Sequence, residues 1–439
     1  MALSNDEFQF LNGLFRELKE NPLEPDDPRR VPLYQDADSD PVERLARTIQ
    51  FSDEESRQFF SGFRGSGKST ELLRLRATLQ EREYLVYYAN ALDYLNPALS
   101  VDISELLVLL AGAFSDAVEK EEALSISGES YWTRFVGYLT RTKVVLEGID
   151  VGIFKDVAKL KVAIRDTPSF RQQLQQALSS RLYEVERESK SFFEEYAAAL
   201  RRKYPAKAGI VFLFDNLEQL RGSASTEQEV IGSVQRLFSI HADRLNLPYI
   251  HVVYTVPPWL KFLMSGTEVE ILPSIVQWKN NAERTKHAVG HACLKQIIDA
   301  RFGTDGMHRF FGETRGADEF VRVCGGNPRD LIRLLREAIR RAVSLPITDA
   351  VVEASLRTVR EQFLPIPTED ALWLDRIARG RKSALKDGSP ETIARFAVFL
   401  DTHLVLFLRN GDEWYDIHPL IREYVDEIAK SEAKQAEIA

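Results

Sequence analysis

A chain of 439 residues with a formal net charge of −9 has the length for two or three domains with sizeable cores. Hydrophobic residues make up 44% and charged residues 28%, the balance of an ordinary soluble globular protein. The acidic excess excludes a protein whose whole surface coats nucleic acid, so any DNA contact has to come from a local patch.

The N-terminus, MALSNDEFQF, has no basic region followed by an apolar core and does not read as a secretory signal. A short amphipathic helix is predicted over Glu7–Leu18, then a loop with Pro22, Pro25, Pro28 and Pro32. A second helix is predicted over Pro41–Gln50, with Asp40 as its cap and Pro41 at the first helical position. An alternating pattern follows: a strand at Gln58–Ser61, a helix at Ser69–Gln80, and apolar strands at Tyr84–Ala89, Ile210–Phe214 and Ile250–Thr255. Apolar strands alternating with helices predict an α/β fold, a parallel sheet covered on both faces.

Between Ala89 and Ile210 the periodicity is helical, over Ile103–Val118, Ser169–Arg187 and Lys190–Lys203. This reads as a helical insertion at about 100–205, offering either extra packing surface or a surface for a partner or a signal. Its apolar run Leu106–Ala113 is far short of the roughly 18 residues a bilayer span needs, so no membrane role is expected. Helices are predicted at His291–Arg301, Asp318–Cys324 and Pro328–Val343. The two cysteines, Cys293 and Cys324, have no metal-ligand spacing and exclude a disulfide framework, which suits the reducing cytoplasm. After a linker at Phe363–Pro367, helices Glu369–Arg379 and Pro390–Thr402 precede a hairpin of Leu404–Leu408 and Trp414–Ile417 around a two-residue Asn410-Gly411 turn. A final helix over Pro419–Ala429 leads to a charged tail expected to fray. Helices followed by a hairpin suggest a winged helix.

The segment Gly62-Phe63-Arg64-Gly65-Ser66-Gly67-Lys68-Ser69-Thr70 matches the P-loop pattern. A triphosphate is a dense anion held by inward-pointing backbone N–H groups. Glycines allow positive φ and close approach, and the following helix offers its N-terminal dipole. Lys68 is expected to reach the β- and γ-phosphates and the Ser69 hydroxyl to ligate Mg²⁺. The apolar strand Ile210–Phe214 delivers Asp215 to its C-terminal end, the Walker B arrangement, in which Asp215 holds Mg²⁺. Many related ATPases have a second acid at the next position, but here it is Asn216. Glu218 is the nearest replacement for orienting the attacking water, or else a solvated first-turn acid. ATP binding is therefore better supported than fast hydrolysis. Thr255 closes the next strand, either as a γ-phosphate sensor or as an ordinary strand-end threonine. Arg329, in the first turn after Cys324-Gly325-Gly326-Asn327-Pro328, is badly placed for helix stability. It is read as reaching back to the nucleotide, or as a surface arginine.

Taken in order, GFRGSGKST, IVFLFDNLEQ, VVYTVPP, GGNPRDLIRLL and YDIHPLIREYV resemble the STAND branch of P-loop ATPases. They are also similar to the related AAA+ ATPases of the origin-recognition type. The resemblance implies a P-loop NTPase core over 51–283 behind an N-terminal segment 1–50, a helical lid over 284–362, a winged-helix domain over 363–430 and a tail 431–439. It implies ATP and ADP as ligands with Mg²⁺, and a hydrolase that switches between a closed ADP state and an open, oligomerising ATP state. Pro328 with Gly326 and Asn327 matches the lid motif that touches the nucleotide. His418 stands where a winged-helix histidine contacts the ADP β-phosphate; the following acid is Pro419 here, and a packed residue at the base of the wing is the plain alternative. Arg244 is the candidate arginine finger. The family's repeat sensor and effector domains have no counterpart, which implies a homo-oligomer or a separate effector protein, in bacterial antiviral defence or signalling.

A second reading is a DNA-associated ATPase using the winged helix on duplex DNA. The expected recognition helix, PETIARFAVFLDT, has one arginine, Arg395, and two acids, and the wing offsets Arg409 with Asp412 and Glu413. The basic stretch Arg376–Lys386 keeps that reading open. A small-molecule kinase would use Lys68 and Asp215 equally well but leaves the lid without a role.

Overall fold

The computed structural model describes residues 3–34, 40–122, 157–220, 222, 226–263, 268–281 and 283–438; the stretch 123–156 of the expected insertion lies outside the described residues. The chain divides into two compact units. One gathers Met1–Ser39, Gly62–Thr70 and Leu272–Ala439, and the other Asp40–Ser61 and Glu71–Ile271.

The second unit is built on the sheet. Strands β1 (Ser56–Gly62), β2 (Tyr84–Asn90), β3 (Gly209–Asp215), β4 (His251–Val256) and β5 (Val269–Leu272) take the order β2-β3-β4-β1-β5. The pairings β2–β3, β3–β4 and β4–β1 are parallel, the α/β class expected. Every residue of β3 and β4 is buried, as central strands covered on both faces require. β5, with the four residues Val-Glu-Ile-Leu, is too short to stand out in the sequence.

Helix α2 (Pro41–Phe51) starts as predicted, with the Asp40 carboxylate accepting from the Val42 and Glu43 amides at 2.9 and 3.4 Å. Asp40 also takes both Nη atoms of Arg74, on α3 (Lys68–Glu81), at 2.7 and 2.5 Å. Helices α4 (Ile103–Glu122), α5 (Val157–Asp166), α6 (Pro168–Ser179), α7 (Leu182–Lys203) and α8 (Glu227–Gln235) complete this unit. The apolar run of α4 is a core helix. Phe114 stands 5.3–5.7 Å, ring to ring, from Tyr87, Phe193, Tyr196 and Phe212. The helix expected over Ser169–Arg187 is in fact two. The Ser179 and Ser180 hydroxyls donate back to the Gln175 and Ala177 carbonyls, local bonds that compete with helix propagation. The break expected before Lys190 does not occur, because Ser189 lies buried on the inner face of α7.

In the first unit, α1 (Asn5–Glu17) opens with a reciprocal Ser4–Glu7 capping box. Its Leu11 and Leu14, with Leu18, join a core formed by α9 (Ala288–Phe311), α10 (Gly316–Val323), α11 (Pro328–Arg341) and α12 (Asp349–Glu361). α12 was not expected, although Val352, Ser355 and Val359 give it a buried stripe. Gly326 is obligatory here. Its φ is +73°, and a Cβ would sit 2.0 Å from the Ile275 carbonyl oxygen.

Helices α13 (Thr368–Gly380) and α14 (Pro390–Asp401), strands β6 (Val405–Asn410) and β7 (Asp412–Ile417), and α15 (Arg422–Ile438) follow. The hairpin pairs Arg409 with Glu413 and Asn410 with Asp412, so its turn is centred on Gly411 alone, at φ +94°. The tail expected to fray continues α15 to Ile438.

In the second unit, Arg171 and Glu105 form a buried ion pair, 3% and 0% exposed, with Gln175 Nε2 donating to the same carboxylate at 2.7 Å. Arg171→Leu strands that carboxylate and should cost about 3–5 kcal/mol, read as a lowered thermal midpoint. Adding Glu105→Leu should restore most of it.

Candidate functional site

The chain leaves β1 at Gly62 and enters the phosphate loop. Gly65 and Gly67 have φ of +83° and +94°, values that cost glycine nothing and other residues strain. Ser66 folds the loop inward, its amide and hydroxyl donating to the Phe63 carbonyl at 3.1 and 2.9 Å. α3 begins at Lys68, so its unpaired first-turn amides belong to the loop. Lys68 is 7% exposed, with Nζ donating to the Gly62 carbonyl at 3.3 Å. Positive-φ glycines, a buried ammonium and a helix N-terminus fit a polyphosphate anion. Ser69 is half-buried, Arg64 is exposed, and the Thr70 hydroxyl accepts from the Leu23 amide at 3.1 Å.

The first turn of α11 lies directly on this loop. Asn327 caps the helix, its Oδ1 accepting from the Arg329 amide at 2.9 Å. Its Nδ2 donates to the Arg64 carbonyl at 3.2 Å. The Arg329 amide also stands 3.4 Å from the Gly65 carbonyl, and a Cβ on Gly65 would come within 2.4 Å of the Arg329 Cβ. Pro328 takes the first helical position. Arg329 pairs with Glu20 at 3.1 Å. Burial pulls the Arg329 guanidinium below its usual range; Glu20 opposes that and the neighbouring Arg64 and Arg333 charges add to it.

One residue further, Asp330 is fully buried and receives His403 Nδ1 at 3.1 Å. His418 Nε2 stands 3.7 Å from the same oxygen, beyond hydrogen-bond reach, and has no hydrogen-bond partner among the described residues. Burial alone would raise the Asp330 carboxyl, but the two imidazoles hold it well below the usual carboxylate range. The His403 ring meets Phe63 of the loop edge-on at 6.1 Å. His418 is itself fully buried, stacked on Phe363 at 4.6 Å, with Nδ1 accepting from the Leu420 amide at 3.3 Å. Sequence reasoning singled out Arg329 and His418 and passed over Asp330 and His403. An acid in a first helical turn and a lone histidine before a strand carry no spacing signal.

In the second unit, Asp215 ends β3 with its carboxylate accepting from the Tyr88 hydroxyl at 2.8 Å and from the Asn216 amide at 2.7 Å. Asn216 adopts a left-handed φ of +69° and donates to Asn90 Oδ1 at 3.0 Å. Glu218 follows in a short 3₁₀ turn and is buried. Thr255 is fully buried, its hydroxyl accepting from the Leu217 amide at 3.1 Å, so it braces the Asp215–Glu218 turn. β4 lies between β1 and β3, with Phe60 opposite Thr255 and Phe214 opposite Tyr254. The C-terminal ends of these three strands thus share the sheet edge where α/β proteins bind ligands.

Arg244 is engaged by Glu186 at 2.8 Å and by His241 Nδ1. In the C-terminal module, Arg395 pairs with Asp370 at 2.6 Å, Arg409 with Glu413 at 2.8 Å and Arg379 with Asp375 at 2.8 Å. Lys382 and Lys386 are exposed. Among the described residues no helix is long and apolar enough to cross a membrane.

The chain is similar in structure to the ORC2 protein of Aeropyrum pernix, at 13% identity over 95% of this chain and 98% of that one, TM-score 0.38. It is similar to the Walker-type ATPase PABY2304 of Pyrococcus abyssi, at 12% over 88% and 95%, TM-score 0.36. A third likeness is to Cdc6p of Pyrobaculum aerophilum, at 12% over 98% and 100%, TM-score 0.35. Likenesses this distant assign no residue a role. No protein-family model and no curated protein matches the chain.

Burial lowers the affinity of His418 for a proton, an effect that Asp330 opposes. A histidine with a depressed folded value gives stability above its ordinary value near 6.5 that is lost as pH falls below it. The Asp330 contribution is lost only below the ordinary carboxylate value of 3.8. His251, pushed down to about 4 by burial in the other unit, acts in the same direction. Thermal stability should therefore fall from pH 7 to pH 5, and His418→Asn should flatten that slope by at most about 1.4 kcal/mol per pH unit.

Proposed function

We propose that this chain is an ATP-binding P-loop ATPase that works as a regulatory switch, changing conformation or assembly with its nucleotide. The observation that carries this reading is the contact of Asn327 and Arg329 with the carbonyls of Arg64 and Gly65. The element that touches the phosphate loop is the same helix turn that buries Asp330 against His403 and His418. A loop rearranged by phosphate therefore disturbs a buried polar knot whose other members lie in the C-terminal module. In this reading residues 284–362 are a lid and 363–430 a winged helix.

The loop amides from Gly62 to Thr70 would bind the phosphates, and Lys68 would turn its ammonium from the Gly62 carbonyl to them. Mg²⁺, held by Ser69 and Asp215, would offset the charge of the transferred phosphoryl group. Glu218 would orient the attacking water, with Thr255 fixing the turn that carries it. Asn216 stands where a stronger base would serve, so turnover is slow. The chain would assemble with itself or with a separate effector protein, with bacterial defence or signalling as the setting.

A second reading, a DNA-associated ATPase, is favoured by the exposed Lys382 and Lys386. Against it, Arg395 and Arg409 are already paired with acids of the same module.

Lys68→Ala should weaken ATP and ADP binding by about ten- to a hundredfold, the loss of one buried charge-assisted contact, in a titration with labelled nucleotide. Light scattering of wild type with ATP and Mg²⁺ should show a larger assembly than with ADP, and the variant none. A mass change that appears only with duplex DNA would replace the switch reading by the DNA reading.

A further inference from the structure

Residues 19–34 cross the phosphate loop, and their contacts are specific. The Leu23 amide uses the Thr70 hydroxyl of the loop itself, at 3.1 Å. A Cβ placed on Gly67 would meet Leu33 Cδ1 at 3.8 Å. Beyond the loop the segment is anchored. Arg301 Nη1 donates to the Arg29 carbonyl at 3.2 Å, and the Tyr34 hydroxyl donates to the Pro273 carbonyl at 3.0 Å. On its other side Leu18 is fully buried in the helical core.

The charge at the start of this crossing is unusual. Arg329 and Arg336 are seven residues apart on α11 and so share a face of it. Glu20 stands between them, 3.1 Å from Arg329 Nε and 3.7 Å from Arg336 Nη1. The second distance is too long for a hydrogen bond, and the buried Nε of Arg336 has no partner in the described residues. The guanidinium of Arg336 lies over Phe15 at 4.5 Å, which holds it in place. Two arginines with donors to spare are thus shared by one carboxylate. All three side chains keep about a quarter to a third of their exposure, so the pairing is weak and exchangeable. A phosphate has three oxygens and more charge, and it satisfies forked guanidinium donors better than one carboxylate does. Arg329 also sits on Gly65 of the loop, where such an anion would arrive.

We propose that Glu20 is a resident anion on an Arg329–Arg336 site that takes the terminal phosphate of a bound nucleoside triphosphate. Triphosphate binding expels Glu20, releases the Leu23 amide from Thr70 and loosens the segment over the loop; a diphosphate leaves it in place. This rests on the nucleotide reading above and names how that site is regulated.

The test measures binding of ADP and of a non-hydrolysable ATP analogue to wild type, Glu20→Gln, Arg336→Gln and Lys68→Ala, each first checked by thermal melting. Glu20→Gln should tighten the ATP analogue about three- to tenfold, the size of one part-exposed ion pair, and leave ADP unchanged. Arg336→Gln should weaken the ATP analogue by a similar factor and again spare ADP. Hydrogen exchange at Leu23 should rise with the ATP analogue and not with ADP. If Glu20→Gln leaves ATP affinity unchanged, or shifts both nucleotides equally, the resident-anion assignment is wrong while the phosphate-loop reading stands. Should wild type bind neither nucleotide, or Lys68→Ala bind both as well as wild type does, the nucleotide reading fails and takes this inference with it.

Discussion

A carboxylate with no access to water has to find its compensation inside the protein, and Asp330 finds it in Arg333 and His403, each at 3.1 Å, with the His418 ring packed beyond at 3.7 Å. Breaking such a group's pairing is costly, about 3–5 kcal/mol where one partner is removed, so Asp330 and the histidine it receives from the C-terminal module must stay together. The requirement reaches the phosphate loop through short steps. Asp330 follows Pro328 and Arg329 in one helical turn, Asn327 caps that turn and holds the Arg64 carbonyl, and His403 rests on Phe63. A rigid-body shift of α11 that opened the loop would have to re-house a buried charge.

Close backbone approach makes this packing tight. Gly65 admits the Arg329 Cβ, Gly326 admits the Ile275 carbonyl, and Gly325 faces the His418 ring, where a Cβ would fall 2.9 Å from Cδ2. None of these positions tolerates a side chain without movement of its neighbour. The glycines before Asn327 therefore do more than end α10. They let the first turn of α11 lie close to the Ile275 backbone and to the His418 ring.

How much of this could be read from the chain depended on whether a signal is local. The phosphate loop, the strand leading to Asp215 and the Asp40 cap each announce themselves within ten residues, and the structure places strands and cap as expected. The break between α6 and α7 was misplaced because two serine hydroxyls, not a hydrophobic pattern, end the first helix. The hairpin turn was misassigned because Asn410-Gly411 is compatible with two registers and the pairing of Arg409 with Glu413 selects the other. Asp330 and His403, 73 residues apart, could not be linked at all. A buried pair is a property of tertiary packing, and neither residue type is informative alone. The same holds for Glu20, whose place beside Arg329 is invisible across three hundred intervening residues.

The turn after β3 is shaped by side-chain hydrogen bonds. Asn216 sits at φ +69°, a conformation asparagine tolerates better than most residues. Its side chain is occupied on both ends, donating to Asn90 and accepting from Gln219 Nε2 at 2.8 Å. Asn90 in turn accepts the Leu92 amide at 3.0 Å. This position is built to shape the loop and has no proton-accepting group to offer a water. The Tyr88 hydroxyl, pushed up by burial and by the charge of Asp215, remains a donor at all ordinary pH and steadies that carboxylate. Asp215 and its turn are thus fixed by hydrogen bonds that hold geometry, and the next acid, Glu218, is three residues away in a 3₁₀ turn braced by Thr255.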